Sequence, residues 1–190
     1  MRVIAGALKG RKIKAVPGNL TRPTTDKVKE AIFQIIGPFF DKGSCLDLFA
    51  GSGSLGIEAL SRGMVQAIFV DKQSKAIHTI HENLKDLQLK DQTEVFRTDA
   101  SRAIQAAAKR GLQFDLILLD PPYKKANYGE LLNEIVKLDL IKKNGYIYCE
   151  HDQREDLSAF HPALILVKQA SYGGIIGISL YQKRERKDAE

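Results

Sequence analysis

Short apolar runs alternate with amphipathic segments over most of the chain. The runs have the length of buried strands, and the segments between them carry apolar residues at helical spacing. This alternation predicts an α/β fold of Rossmann-like type, a mostly parallel twisted sheet with helices on both faces. The predicted strands are 44–49, 66–71, 93–97, 114–120 and 145–150, and the predicted helices are 54–62, 73–87, 100–110 and 127–139.

The C-terminal part of the chain breaks this alternation. Residues 163–169 and 175–182 flank Tyr172-Gly173-Gly174 with no helix between them. Two strands joined by a glycine turn predict an antiparallel hairpin, which we place at one edge of the sheet.

The N-terminal part of the chain also departs from the alternation of strands and helices. Residues 2–7 and 12–16 have the pattern of two short strands joined around Lys9-Gly10, which predicts a basic β-hairpin extension. The apolar residues that follow, from Val28 to Ile36, recur at helical spacing until Gly37-Pro38 ends the pattern. We therefore expect a hairpin and one helix before the sheet begins.

The length and composition suit one globular domain. With 190 residues of which 44% are hydrophobic, the chain can bury a single core. We divide it into a basic extension (1–20), an α/β core (21–182) and a charged tail (183–190). No stretch approaches the roughly 20 apolar residues of a membrane span. Cys45 and Cys149 lie in predicted strands without metal-ligand spacing, so we expect a cytoplasmic protein with reduced thiols and no metal site.

The excess positive charge is concentrated at the start of the chain. The net charge is +6, and six basic residues precede the first acid, so that the remaining 23 basic residues equal the 23 acidic ones. A solvated face is the ordinary explanation of a charge run, but this concentration favours a polyanionic partner. The candidate contacts are Arg11, Lys12, Lys14 and Arg22, with Lys124 and Lys125 at a second place where a solvated loop is equally plausible.

A glycine-rich turn follows the first predicted strand. Gly51, Gly53 and Gly56 have the spacing G-x-G-x-x-G between an apolar run and an amphipathic segment. Missing side chains let the backbone pass close to a ligand and let a helix pack on a strand. The pattern predicts a nucleotide-like cofactor, although alone it is weak evidence, because a nicotinamide-binding fold also places an acid such as Asp71 about 20 residues further on.

Acidic residues lie inside the first of four successive strands and at or just after the ends of the other three. They are Asp47, Asp71, Asp99 and Asp120. Carboxyl ends of parallel strands share one edge of the sheet, so these acids should line one cleft. Each could separately be a turn or helix-capping aspartate, but together they suit a cationic ligand that carries adenosine. S-adenosylmethionine, which has a sulfonium, fits this description.

The most specific signal is Asp120-Pro121-Pro122-Tyr123. The two prolines stiffen the backbone and remove two N–H donors, which leaves carbonyl acceptors beside the Asp120 carboxylate. An aromatic ring follows at Tyr123. This arrangement suits a planar base with an exocyclic amine that donates to Asp120 and to the Pro121 carbonyl while it stacks on Tyr123. An ordinary proline turn is the alternative.

The histidines indicate no chemistry. His78 and His81 are one turn apart on a predicted helix, but no third metal ligand is apparent. His151 and His161 are expected near loops, without a nucleophile partner.

Several motifs resemble those of the RsmD-like bacterial 16S rRNA guanine-N2-methyltransferases. The stretches are Arg2-Val-Ile-Ala-Gly6, Lys9-Gly-Arg11, Thr21-Arg-Pro-Thr24, Asp26, Lys29-Glu-Ala-Ile-Phe33, Leu46-Asp-Leu-Phe-Ala-Gly-Ser-Gly53, Glu58-Ala-Leu-Ser-Arg-Gly63, Asp120-Pro-Pro-Tyr123 and Tyr172-Gly173. The resemblance implies a class I S-adenosylmethionine-dependent methyltransferase. Its substrate would be a guanine amine in 16S rRNA, within an assembled or partly assembled small ribosomal subunit.

The resemblance also implies roles for single residues. Matching by motif gives a cofactor site of Asp47, Ala50, Gly51, Gly53, Asp71, Lys72, Asp99 and Ala100, with Asp71 at the ribose and Asp99 at the adenine. It gives a base-binding catalytic site of Asp120, Pro121 and Tyr123. The sequence departs from relatives at Gln34 and Met64, away from the implied chemistry, and Asp71 stands where some relatives carry glutamate.

The residues alone leave three other functions open. A DNA adenine-N6-methyltransferase would use the same site but needs more mass to read a duplex than this chain offers. A nicotinamide-dependent oxidoreductase would leave Asp120-Pro-Pro-Tyr123 and the basic hairpin unexplained. A non-catalytic RNA-binding module would have no use for the glycine turn.

Overall fold

A computed structural model describes residues 1–18, 26–122, 127–157 and 161–184. The helices are α1 (Asp26–Ile36), α2 (Ser54–Ser61), α3 (Ser74–Asp86), α4 (Ala100–Lys109) and α5 (Tyr128–Lys137), with a short 3-10 helix at Lys90–Gln92. The strands are β1 (Ser44–Asp47), β2 (Gln66–Asp71), β3 (Thr93–Arg97), β4 (Phe114–Leu119), β5 (Ile141–Asp152), β6 (Leu164–Tyr172) and β7 (Ile176–Lys183).

The strands form one seven-stranded sheet in the order β3-β2-β1-β4-β5-β7-β6. The five strands from β3 to β5 are parallel, whereas β7 runs antiparallel to both β5 and β6. The predicted α/β sheet and its antiparallel edge hairpin are therefore confirmed. The largest boundary difference is β5, which begins at Ile141, where the register against β4 shifts, and extends through His151.

Each face of the sheet has its own apolar core. On one face the N-terminal segment, α1, α2 and α3 enclose fully buried side chains such as Phe33 and Phe69. On the other face α4 and α5 enclose Ile104 and Leu132. In the part of the chain that the structure describes, no helix is long and apolar enough to cross a membrane.

The strand order fixes where a ligand can bind. β1 lies between β2 and β4, so the chain leaves it toward one side and returns on the other. The connections that follow two neighbouring strands then run in opposite directions and leave a crevice at the carboxyl ends of those strands. Ligands of open α/β sheets bind in such a crevice. The crevice lies between the turn after Asp47 and the turn that contains Asp120.

The N-terminal hairpin is shorter than predicted. Its antiparallel pairing is present, since Val3 donates to the Arg11 carbonyl at 2.9 Å and Gly10 donates to the Val3 carbonyl at 2.9 Å. However, the only bridge recorded in residues 1–18 joins Arg2 to Lys12, and the predicted strands 2–7 and 12–16 do not form over their full length.

The reason is that helix α2 binds the backbone of the first predicted strand. The Glu58 carboxylate accepts from the amides of Ile4 and Ala5 at 2.8 and 3.0 Å. Ser61 accepts from Leu8 through its hydroxyl at 3.0 Å, and that hydroxyl donates to the Ala5 carbonyl at 2.6 Å. These backbone groups are used by α2, so they cannot pair with a second strand.

Glu58 is the centre of a buried charge cluster. Its carboxylate lies 3.4 Å from the Lys29 ammonium and 2.8 Å from the Arg62 guanidinium, and all three side chains are at most 1% exposed. Burial lowers the pKa of Lys29, and the charge of Glu58 opposes that shift. The Arg62 guanidinium also lies 4.8 Å from the centre of the Phe33 ring, a cation–π contact.

Two glycines allow the close approach to α2. Gly6 has φ of +83°, and a Cβ there would lie 1.7 Å from the Ser61 carbonyl oxygen. Gly63 has φ of +118°, and its Cβ would lie 2.2 Å from the Phe40 carbonyl oxygen. Only glycine fits both the conformation and the space. These glycines close two of the motifs that carry the family resemblance, which gives those motifs a structural explanation.

We expect Glu58→Gln to lower the free energy of unfolding by about 3 to 5 kcal/mol, because it leaves two buried cations without their counter-charge. Urea unfolding followed by circular dichroism measures the loss. The control is Glu82→Gln, at an acid that is 43% exposed in its ion pair with Lys14, where the loss should stay under about 1 kcal/mol. Equal losses in the two variants would contradict a structural role for the buried cluster.

Candidate active site

The turn after β1 has the shape that the glycine spacing predicts. Gly51 and Gly53 have φ of +54° and +80°. A Cβ at Gly56 would lie 2.4 Å from the Phe69 ring, so this glycine lets α2 pack on β2, whereas a Cβ at Gly51 would meet nothing within 4 Å. Gly51 therefore faces the open cleft, and a ligand can approach its backbone closely.

Asp71 ties the turns after the first three strands together. One carboxylate oxygen accepts from the Gly51 amide at 3.0 Å, and the other accepts from the Gln73 amide at 2.8 Å. The Thr98 amide, after β3, donates to the Asp71 carbonyl at 3.2 Å. The structure thus brings Asp71 to the edge of the glycine turn, and its carboxylate can accept further bonds from a ligand.

Asp47 is a buried acid beneath the same turn. One of its oxygens accepts from the Gly56 amide at 3.2 Å, while Oδ1 has no hydrogen-bond partner among the described residues. Burial raises the pKa of Asp47 to about 7, the backbone amides of Gly56 and Phe49 oppose that shift, and the charge of Asp71 adds to it. A buried acceptor without a donor, below a turn with open space, fits a ligand that brings a positive charge.

The remaining predicted cofactor residues lie around this turn. Ala50 is buried, and its amide donates to the Val70 carbonyl at 3.0 Å. Lys72 is exposed at the end of β2. Asp99 caps α4 by accepting from the Arg102 amide at 2.9 Å, and Ala100 begins that helix. The capping aspartate considered as an alternative is therefore present, and contact of Asp99 with an adenine stays a prediction.

Asp120 and Pro121 lie at the carboxyl end of β4, beside the glycine turn. Asp47 pairs with Leu118, so Asp120 follows only two residues beyond that pair. Asp120 is half-buried and Pro121 is buried. Tyr123, Lys124 and Lys125 lie outside the described residues, as does Arg22, and their predicted roles stay predictions.

A buried polar group beside Asp120 escaped the sequence analysis. Leu119 pairs with Cys149, so the next residues in this register are Asp120, just after β4, and Glu150, two residues before the end of β5. Glu150 is buried, and its carboxylate accepts from the Tyr148 hydroxyl at 2.9 Å. The Tyr128 hydroxyl donates to the Glu150 carbonyl. The signal in the sequence is a further acid at the end of a predicted strand, since Glu150 is the last residue of 145–150.

Burial raises the pKa of both Tyr128 and Tyr148, and the Asp120 carboxylate adds to both shifts. Both hydroxyls therefore stay protonated and act as donors near Asp120.

His151 lies near a loop, as predicted, since it is the last residue but one of β5 and a turn follows that strand. His151 is 2% exposed and lies within β5, where the structure pairs it with the Ser179 hydroxyl at 3.0 Å. Its other nitrogen contacts the Asp152 carbonyl at 2.8 Å, which requires a proton there. β5 extends two residues beyond the predicted strand, so His151 is part of the strand and is buried. No group of three potential metal ligands occurs in the described ranges.

The basic residues lie on the N-terminal segment next to α3. The Lys14 ammonium pairs with Glu82 at 3.2 Å and with Asp86 at 2.9 Å, and these acids raise the pKa of Lys14. The Arg11 guanidinium donates to the Asp86 carbonyl at 2.8 Å. Lys12 is exposed. Part of the positive charge that the sequence places here is therefore balanced by α3.

Residues 1–182 match the family model described as conserved hypothetical protein 95. "Putative rRNA methyltransferase YlbH" of Bacillus subtilis is 52% identical over 184 residues, which cover 97% of this chain and all of that protein. "Ribosomal RNA small subunit methyltransferase D" of Haemophilus influenzae is 30% identical, over 96% of this chain and 93% of that one. The solved structure of "Putative methyltransferase yhhF" from Escherichia coli superposes with a TM-score of 0.83 at 29% identity, over 98% and 99% of the chains.

We expect Asp47→Asn to change how stability depends on pH. The folded protein holds the Asp47 proton with a pKa of about 7 against an ordinary 3.8, so the folded state binds a proton that the unfolded state has lost between these values. The free energy of unfolding of the parent should therefore fall by roughly 2 to 4 kcal/mol between about pH 4 and pH 7, and the variant should lack this fall. Urea unfolding at pH 5 and pH 8 measures this difference, with Asp91→Asn at an exposed acid as the control. Parallel pH profiles for parent and Asp47→Asn would contradict it.

Proposed function

We propose a function from one premise: the chain belongs to the family described as conserved hypothetical protein 95. This membership confirms the resemblance that the sequence motifs carry. We propose that the protein is an S-adenosylmethionine-dependent methyltransferase that acts on ribosomal RNA. We further propose the N2 amine of a guanine in 16S rRNA as the acceptor, within an assembled or partly assembled 30S particle. The names of the relatives support the first of these proposals, methylation of rRNA.

The observation that carries the proposal is the position of Asp120 beside the glycine turn. The crevice of the sheet lies between these two features. On one side Gly51 leaves open space, and the Oδ1 atom of Asp47 lacks a donor among the described residues. On the other side Asp120 and Pro121 offer acceptors. A cationic cofactor and an amine-bearing base would thus meet between them.

The residues act chiefly by binding and orientation. The cofactor supplies an activated methyl group on a sulfonium. Asp47 and Asp71 would hold its charged and ribose portions. Asp120 and the Pro121 carbonyl would each accept one N–H of the guanine amine, which directs the nitrogen lone pair toward the methyl group. Correct alignment of reacting atoms can supply several kcal/mol of rate acceleration, so the site needs no nucleophilic side chain.

Methyl transfer and cofactor choice can each be tested directly. Transfer of a tritiated methyl group to small subunits, naked 16S rRNA and DNA, followed by identification of the labelled nucleoside, separates rRNA from DNA methylation. Calorimetry with S-adenosylmethionine and with NAD separates methyl transfer from hydride transfer. Label in N2-methylguanine of the small subunit supports the proposal, whereas label in N6-methyladenine of DNA, or binding of NAD alone, overturns it.

We expect Asp120→Ala to lower the rate of methyl transfer by about 100-fold or more while cofactor affinity is kept, because the acceptor matters only once the base is aligned. Tyr123→Phe keeps the ring face and should be milder than Tyr123→Ala, which also loses stacking worth roughly 1 to 3 kcal/mol. Single-turnover methylation of small subunits measures all three. A near-parent rate for Asp120→Ala, or equal losses at Tyr123, would show that these roles are misassigned.

We expect replacement of Arg11, Lys12 and Lys14 by glutamine to weaken RNA binding. Each lost phosphate contact should flatten the slope of log affinity against log salt by roughly 0.7 to 0.9. Lys14 should contribute least, since Glu82 and Asp86 already pair with it. The matched control replaces Lys109 and Lys137, in the last turns of α4 and α5 on the other face of the sheet. A slope that does not move would make the segment an ordinary solvated face.

A further inference from the structure

Asn83 connects the N-terminal segment to the cofactor turn. This residue lies on α3 and is 1% exposed. Its Oδ1 accepts from the Lys14 amide at 2.9 Å, and its Nδ2 donates to the Lys14 carbonyl at 3.0 Å. The same nitrogen donates to the carbonyl of Ser52, inside the glycine turn, at 2.9 Å. One buried amide thus satisfies both backbone groups of Lys14 and one of the turn.

Lys29 makes a second connection on the other side of Gly53. Its ammonium donates to the Arg2 carbonyl at 2.7 Å and to the Ser54 hydroxyl at 3.0 Å. Glu58 lies 3.4 Å from the same ammonium and fixes the backbone of Ile4. The two residues that flank Gly53 are therefore both held to the N-terminal segment, each through one buried side chain.

We propose that residues 1–18 belong to the cofactor site as well as to the RNA-binding surface, and that Asn83 and Lys29 are positioning residues that couple the two. This inference rests on the proposed function. The glycine turn has few side chains of its own, and at its two ends Asp71 and Asp47 accept from the amides of Gly51 and Gly56. Between these ends, the turn is held from the side opposite the open space at Gly51. Asn83 and Lys29 hold it there, through the segment that carries Arg11 and Lys14.

Coupling follows from this arrangement. RNA that binds the basic segment restrains its backbone, and the restraint reaches Ser52 through Asn83. A restrained turn loses less conformational freedom when it binds the cofactor, so RNA should raise cofactor affinity. By thermodynamic reciprocity, the cofactor should raise RNA affinity by the same factor.

The test compares Asn83→Leu with Thr79→Val. Leucine has nearly the shape of asparagine but cannot form the three bonds. Thr79 is a buried residue of the same helix whose hydroxyl donates only to the Lys75 carbonyl, within α3. We expect Asn83→Leu to weaken S-adenosylmethionine binding at least tenfold in calorimetry, and Thr79→Val to stay within twofold. Ser54→Ala, which removes the hydroxyl that Lys29 binds, is a milder second variant and should weaken binding about threefold.

A second readout separates positioning from general loss of structure. S-adenosylmethionine affinity is measured with and without saturating small ribosomal subunits. The parent should bind the cofactor more tightly when small subunits are present. The ratio of its affinity with subunits to its affinity without them should fall to one in Asn83→Leu and should be unchanged in Thr79→Val. If both Asn83→Leu and Ser54→Ala bind like the parent, or if the ratio is one in the parent or unchanged in Asn83→Leu, the inference is wrong.

These failures differ from failure of the proposed function. A parent protein that binds neither S-adenosylmethionine nor small subunits would overturn the function itself. A parent that binds both, but shows no coupling through Asn83, would overturn only the inference.

Discussion

The rest of the structure depends on the buried carboxylate of Glu58. It accepts from two backbone amides of the N-terminal segment and balances two buried cations, Lys29 and Arg62. Burial of charge is costly unless geometry and hydrogen bonding compensate it. Removal of one member of such a cluster destabilises a protein more than replacement of the whole cluster by apolar residues. This side chain of α2 thus holds the segment before α1 in the folded protein, together with Ser61, Asn83 and Lys29, and the glycine turn ends where α2 begins.

The sheet could be predicted from the sequence because the alternation of short apolar runs and amphipathic segments persists from residue 44 to residue 150. Periodicity indicates which side chains are buried. That information is sufficient to predict helices and strands whose backbone hydrogen bonds lie within the helix or within the sheet. It failed for the first predicted strand, since Ile4 and Ala5 donate their amides to Glu58. A local sequence pattern gives no information about a hydrogen-bond partner that lies more than 50 residues away.

The candidate site was predicted in part for the same reason. Glycine spacing and acids at strand ends located Gly51, Asp47 and Asp71, because parallel topology brings strand ends together. The buried polar residues Asn83, Glu150 and His151 were missed, since the sequence does not show which polar side chains find hydrogen-bond partners inside the core. Motifs that resemble a family also combine two functions: Asp120-Pro-Pro-Tyr123 is proposed to bind the base, whereas Arg2–Gly6 and Glu58–Gly63 attach the segment to α2.

The attachment of the N-terminal segment has a consequence for the order of events during synthesis. Residues 4, 5, 8 and 14 bind partners that lie 53 to 69 positions later in the chain. Contacts of such separation form late, because a long loop must close before they contribute. The basic segment therefore precedes its partners on α2 and α3 in the order of synthesis, and it cannot take up its folded position before those helices have been made.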